Sequence, residues 1–258
     1  MDIPMAINEV SGIAFDHNNN LFWMVNDSGN KPILYGVNSK GQIIKELKIK
    51  AKNRDWEDLT MDPEGNVYIG NFGNNDNDSR QLSIYKISKD SLQHKTVTPE
   101  IIAFSYPEQL KFPPKKKKRH FDSEAFFFFK DSLYLFTKSR SPKEKGLTKL
   151  YQLPSVAGNY SAKYLDEFKS CDNSGCWITS ADINADGTKI VLLNEKSAYV
   201  FSNFKGHKFL KGSKKFVDFK HSSQKESVCF KNDSILYIAD EYLGVEGGNL
   251  YEIKIPNN

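Results

Sequence analysis

Histidine and cysteine are scarce, with five and three residues in a chain of 258. No stretch of about 18 consecutive apolar residues occurs, so no membrane-spanning helix is expected. The longest apolar run, Ala125 to Phe129, suits a buried strand. Met1-Asp2-Ile3-Pro4 lacks the charged and apolar regions of a signal peptide, which predicts a cytoplasmic chain or one already trimmed. No amphipathic helical pattern exceeds two turns. Gly-x-Ser-x-Gly, His-Glu-x-x-His and a phosphate-binding glycine loop are all missing, which leaves serine-nucleophile chemistry without support. An excess of one charge is missing too. The formal net charge is +4, and the lysines are scattered except at Lys115 to Arg119, so no nucleic-acid partner is expected. That basic run follows Pro113-Pro114 and reads either as a contact for anionic lipid, nucleic acid or polyphosphate or, without interleaved aromatics, as a solvated insertion between blades.

The chain does contain short β-branched and aromatic runs separated by Asn, Asp and Gly turns, and these recur. Five stretches align: Glu9-Val10-Ser11-Gly12-Ile13, Asp55-Trp56-Glu57-Asp58-Leu59, Asp122-Ser123-Glu124-Ala125-Phe126, Ile178-Thr179-Ser180-Ala181-Asp182 and Gln224-Lys225-Glu226-Ser227-Val228. Their central residues are 46, 67, 56 and 46 positions apart. Each opens a unit of about four strands with polar turns such as Asp62-Pro63-Glu64-Gly65-Asn66. Repeated four-stranded units arranged radially make a β-propeller. The expected fold is therefore all-β, a single domain and a monomer, with five blades over about 8–50, 54–107, 121–169, 177–220 and 223–258. The last unit has three strands, and the segment 2–7, centred on Ile3 to Ile7, is expected to add a fourth and close the ring. Six blades would need a unit hidden in the 67-residue step. That step instead holds two polar or basic loops, Asn74 to Arg80 and Phe112 to His120.

Inner propeller strands run side by side along the axis, so one position per blade forms a ring. Here it is Ser11, Glu57, Glu124, Ser180 and Glu226. Three carboxylates close together in a partly dry channel repel unless a cation neutralises them. A hard cation with oxygen ligands fits, Ca²⁺ best, because it accepts many ligands in flexible geometry. The alternative is that these side chains cap strand ends. Around the ring, the exits of the second strands are polar and supply candidate ligand-binding residues: Asn26, Asn71, Lys138, Arg140, Glu195, Asp240 and Glu241. Trp56 is expected as a wall of the mouth, and Asp58 as a local hydrogen-bond acceptor. Asp27 is the candidate carboxylate for orienting an attacking water. Cys171 and Cys176 bracket a turn-prone loop that could let them form a disulfide, which would favour export.

The ring pattern, together with Ile69-Gly70-Asn71-Phe72-Gly73-Asn74, Leu133-Tyr134-Leu135-Phe136-Thr137-Lys138 and Tyr237-Ile238-Ala239-Asp240-Glu241, resembles the SdiA-regulated family. It is more distantly similar to the calcium-activated nucleotidases (apyrases) and, in appearance, to phytase-like and esterase-like propellers. The nucleotidase resemblance implies Ca²⁺ at the ring positions. In the matching stretch Val25-Asn26-Asp27-Ser28-Gly29, Asn26 replaces an acid and Ser28 stands where an arginine would be, a departure that weighs against nucleotide hydrolysis. The SdiA-regulated resemblance implies an exported or membrane-anchored setting (periplasmic, cell-surface or secreted) and assigns no reaction. Three functions follow as expectations: a Ca²⁺-binding propeller presenting a mouth for a small anionic ligand, a Ca²⁺-dependent hydrolase of phosphate esters or anhydrides, or a scaffold for a protein partner.

Overall fold

The computed structural model describes residues 1–173 and 175–256. Ser174, within the predicted disulfide loop, and Asn258, the predicted end of the last blade, lie outside them. The described strands form five sheets. Blade 1 comprises Val10–Asp16, Leu21–Asn26, Ile33–Asn38 and Ile43–Ile49. Blade 2 comprises Trp56–Met61, Val67–Asn71, Leu82–Ile87 and Glu100–Ser105. Blade 3 comprises Asp122–Phe129, Ser132–Lys138, Leu147–Pro154 and Lys163–Lys169. Blade 4 comprises Ser180–Ile183, Lys189–Leu193, Ser197–Ser202 and Ser213–Asp218. Blade 5 comprises Lys225–Asn232, Ile235–Asp240 and Leu250–Lys254. Neighbours within these blades pair antiparallel, and the five first strands pack against one another in a closed cycle. The molecule is a five-bladed β-propeller.

Turn chemistry holds each blade in register. Asp16 accepts the backbone N–H of Asn18 at 3.0 Å, Asp62 that of Asn66 at 2.8 Å, and Asn184 that of Thr188 at 2.8 Å. These are the short side-chain-to-backbone bonds that make Asx residues turn formers. The core lies between blades rather than at the centre. Trp23, Val25 and Leu34 of blade 1 pack on Trp56, Ile69 and Tyr85 of blade 2, and comparable apolar clusters fill the other four interfaces.

Two short strands cross between blades. Thr96–Val97 pairs parallel with Ile43–Ile49, the outer strand of blade 1, and Gly158–Ser161 pairs parallel with Glu100–Ser105, the outer strand of blade 2. Each covers an open edge with a segment of the next blade. Ring closure at the termini is carried by Met1 to Ile3. Asp2 bridges Asn249 antiparallel, Ile3 N–H donates to Gly248 O at 2.7 Å and Leu250 N–H to Met1 O at 2.7 Å. The strand expected to continue to Ile7 is replaced by a 3₁₀ turn over Met5–Ile7. Pro4 has no N–H to give to a ladder, and its φ of −57° leads into the turn. Cys171 and Cys176 are joined as a disulfide, with Cα atoms 5.4 Å apart. Among the described residues no helix is long and apolar enough to cross a membrane.

Candidate metal centre and channel mouth

In four blades the ring position is the extra residue of a β-bulge. The pairing with the second strand skips Ser11, Glu124 and Glu226, and in blade 2 it skips Glu57 together with Asp58. A bulge re-aims one side chain out of the pleat. Blade 4 has no such irregularity, since Ser180 pairs normally with Leu193. Its hydroxyl goes elsewhere: it donates to Asp58 Oδ2 at 3.0 Å and accepts the Val228 N–H at 3.0 Å. Ser180 therefore ties inner strands together and does not face the cluster described below.

One step along each strand, small residues let the inner strands close on the axis. A Cβ on Gly12 would lie 2.7 Å from the Leu59 nitrogen. Ser227 Oγ accepts the Ile13 N–H at 2.5 Å. Asp58, with 0% exposure, accepts from Leu59 N at 2.9 Å, Phe126 N at 3.3 Å, Ser180 Oγ at 3.0 Å and Ala181 N at 3.4 Å. Its acceptor role spans three blades.

On the mouth side of this plug, Asp27, Asp55 and Glu57 bring a carboxylate oxygen each to within 4.8 Å of one another. Asp27 follows the second strand of blade 1, and Asp55 precedes the inner strand of blade 2. Burial raises all three carboxyls and repulsion from Glu124 raises them further; the neighbouring acids add to the rise of Asp55, to about 6, and of Glu57, well above its ordinary range, whereas hydrogen bonds to Ser28 and Asp55 hold Asp27 back. Among the described residues no lysine or arginine forms an ion pair with any of them. Two buried oxygens on blade 1, Ser11 Oγ and Asn26 Oδ1, have no hydrogen-bond partner.

Across the mouth the charges are answered internally. Glu124 receives Lys138 Nζ at 2.9 Å and Arg140 Nη2 at 3.1 Å, and Arg140 Nε reaches Asp122 at 2.5 Å. Burial would raise Glu124, but these two cations more than offset it and hold the carboxyl below its ordinary value. Asp122 is pushed up to about 8 by burial and by Glu124. Burial raises Glu226 to about 8 against the pull of Lys138, and raises Glu241 to about 7 with help from Asp27. The half-buried Trp177 ring lies 5.8 Å from Lys138 Nζ and 6.0 Å from the Arg140 guanidinium carbon.

Other predicted mouth residues have structural partners. Asn71 accepts from Arg54 N and donates to Ser83 Oγ, and Asp240 accepts from Asn249 N and Tyr251 Oη. The Glu195 carbonyl accepts from Lys225 Nζ at 3.2 Å. Trp56 is a correction: at 0% exposure it is core between blades 1 and 2 and does not wall the mouth. Its large apolar ring follows Asp55 by one position, so strand alternation turns it away from the acids.

Sequence reasoning missed Asp55, Asp122, Trp177 and Gly73. Asp55 and Asp122 stand two positions before ring residues, and period-2 alternation would have found them. A Cβ on Gly73 would overlap Asp55 Oδ2 and Glu57 Oε1, so only glycine leaves room for the two carboxylates as placed. Gly73→Ala is therefore expected to displace both carboxylates, read by calorimetry as the loss of any heat of cation binding at this cluster, while costing less than about 1 kcal/mol of stability, because only side-chain ends need to move.

The SdiA-regulated family model matches residues 2–242. The chain belongs to that family. A comparison with curated proteins gave no match. Among solved structures, this SdiA-regulated propeller is similar to a gluconolactonase from Xanthomonas campestris, at 10% identity and a TM-score of 0.53 over 96% of this chain and 72% of that one. It is similar to the PQQ-bound aldose sugar dehydrogenase of Streptomyces coelicolor, at 10% identity and a TM-score of 0.53 over 98% and 96%. A chain of the nidogen/laminin complex matches at 11% identity and a TM-score of 0.52 over 91% and 73%. At these identities the similarity is one of fold.

Proposed function

We propose that this SdiA-regulated protein binds Ca²⁺ through Asp27, Asp55 and Glu57 and uses the loaded mouth to hold a small anionic ligand. The observation that carries the reading is the convergence of three half-buried carboxylates with no ion-paired lysine or arginine among the described residues. The donor set is all oxygen, which suits a hard cation that tolerates irregular geometry. Ser11 Oγ and Asn26 Oδ1 are unsatisfied oxygens on the same blade as Asp27, available to the ion or its waters. Lys138 and Arg140, with Trp177 beside them, give the facing side a positive ledge for the ligand's anionic group. The disulfide agrees with an exported setting.

Thermal melting with Ca²⁺ and with chelator tests the metal. Ca²⁺ is expected to raise the melting temperature and chelator to reverse the rise; identical curves would remove the claim. A second reading, hydrolysis of phosphate esters or anhydrides, is favoured by the adjacency of Asp27 and Asp55, whose raised carboxyls can share and pass a proton. A bound Ca²⁺ would supply Lewis acidity toward a phosphoryl oxygen. Phosphate release from nucleoside diphosphates, pyrophosphate and phosphomonoesters distinguishes the two. No release with Ca²⁺ present leaves the binding function, whereas release abolished by Asp27→Asn supports the hydrolase.

A further inference from the structure

The channel has a second mouth at the far end of the inner strands, beyond the plug formed by Asp58. It opens into a cavity of about 1130 Å³ lined by all five blades. The wall is apolar and half-buried: Phe15 from blade 1, Met61 from blade 2, Phe128 and Phe129 from blade 3, and Ile183 from blade 4. Each of these packs at the edge of an interblade core, so the wall is held by the fold and does not depend on loops.

The charge of this cavity runs against the charge of the protein. Seven of its lining residues are Asp or Glu and two are Lys, in a chain whose net charge is +4. Asp16 and Asp62 are tied into rim turns, and Asp233 accepts from Asn184 Nδ2. Asp182 differs. It lies on an inner strand, one oxygen accepts the Phe230 N–H at 2.7 Å, and no cationic side chain among the described residues pairs with it. Asp182 is half-buried beside the aromatic wall, and a carboxylate partly withdrawn from water without a counter-charge gains from a ligand that supplies one. The aromatic wall has the matching property, since ring faces attract cations. The protein itself places Lys130 Nζ 5.0 Å from the centre of the Phe129 ring.

The geometry points to a second binding site in this cavity, which takes a small organic ammonium ion: the cationic group pairs with Asp182 and the apolar body lies against Phe15, Phe128 and Phe129. The site is separate from the Ca²⁺ mouth and does not depend on that reading. Its volume lies just above the range of about 300–1,000 Å³ usual for small-molecule sites, which leaves room for the ligand and its waters.

Benzylamine and its neutral counterpart benzyl alcohol are a matched pair of probes for the full chain. Titrations followed by amide NMR at mildly alkaline pH are expected to show saturable shifts at Phe15, Phe128 and Phe230 with benzylamine. Benzyl alcohol is expected to bind roughly tenfold more weakly, or not at all. Asp182→Asn keeps an acceptor for the Phe230 N–H and removes the charge, and should weaken benzylamine by a similar factor. Equal binding of the two probes, an unchanged affinity in a folded Asp182→Asn, or shifts confined to the Trp177 side would overturn the proposal. Should that variant fail to fold, the two probes on the unaltered protein still decide it.

Discussion

Asp58→Ala is expected to destabilise the protein by roughly 2–5 kcal/mol, because buried donors left without an acceptor cost about 1–3 kcal/mol each. For a chain of this size that lowers the melting temperature by roughly 5–15 °C. Every partner of the Asp58 carboxylate is a donor: three backbone N–H groups and the Ser180 hydroxyl. Burial pushes the carboxyl up and these donors hold it back. Asn should rescue little, because its amide NH₂ would have to face N–H groups on one side. Thr60→Val is the control. Thr60 makes the same kind of interblade bond, a single long one of 3.4 Å from the Phe128 N–H, and its loss should cost less than about 1 kcal/mol. Urea or thermal unfolding of the two variants decides the matter: equal losses would mean that Asp58 is not the staple between blades 2, 3 and 4.

The blades were legible in the sequence because their signals are local. Asx turns such as Asp62 to Asn66 act over five residues, and the β-branched runs between them need only pattern. The crossing strands were not legible. Thr96–Val97 and Gly158–Ser161 are short and hold their places by pairing with a distant blade. The ring register was visible as a column of Ser and Glu, but the bulge that gives the column its meaning is a property of the pairing. So Ser180, alike in sequence to Ser11, could not be told from it. Nor could the column show that Lys138 and Arg140 reach back to Glu124, or that Asp27 arrives from another blade to join Asp55 and Glu57. Those contacts depend on where two separate strands end.

The mouth divides into a half whose acids are paired within the protein and a half whose acids have no ion-paired cation among the described residues. Glu124 and Asp122 have Arg140 between them, and Lys138 adds to Glu124. Among the described residues Asp27, Asp55 and Glu57 have each other and Ser28 as neighbours and no ion-paired cation. Fully charged and without a cation they destabilise the fold, which is the kind of local cost that binding sites carry.

Glu57→Gln tests that cost from both directions. The raised carboxyls of Asp55, at about 6, and Glu226, at about 8 against an ordinary 4.5, mean that the folded metal-free protein binds more protons than the unfolded chain. Their contribution is fully present at pH values below the unfolded carboxyl range and is lost as pH rises toward about 8. Metal-free melting temperature is therefore expected to fall between mildly acidic and mildly alkaline pH, and Ca²⁺ to restore it at the alkaline end. At a 100-fold excess over Kd the restoration is about 2.7 kcal/mol, or roughly 5–10 °C for this chain length. Removing the Glu57 charge relieves repulsion from Glu124, Asp27 and Asp55. The variant should therefore melt about 2–4 °C higher than the unaltered protein without metal at alkaline pH, and should lose most of the Ca²⁺ response. A gain in metal-free stability paired with loss of the metal effect is the signature of a ligand held against its own repulsion. A structural acid capping a strand end would instead lose stability with and without Ca²⁺, and that outcome would remove Glu57 from the site.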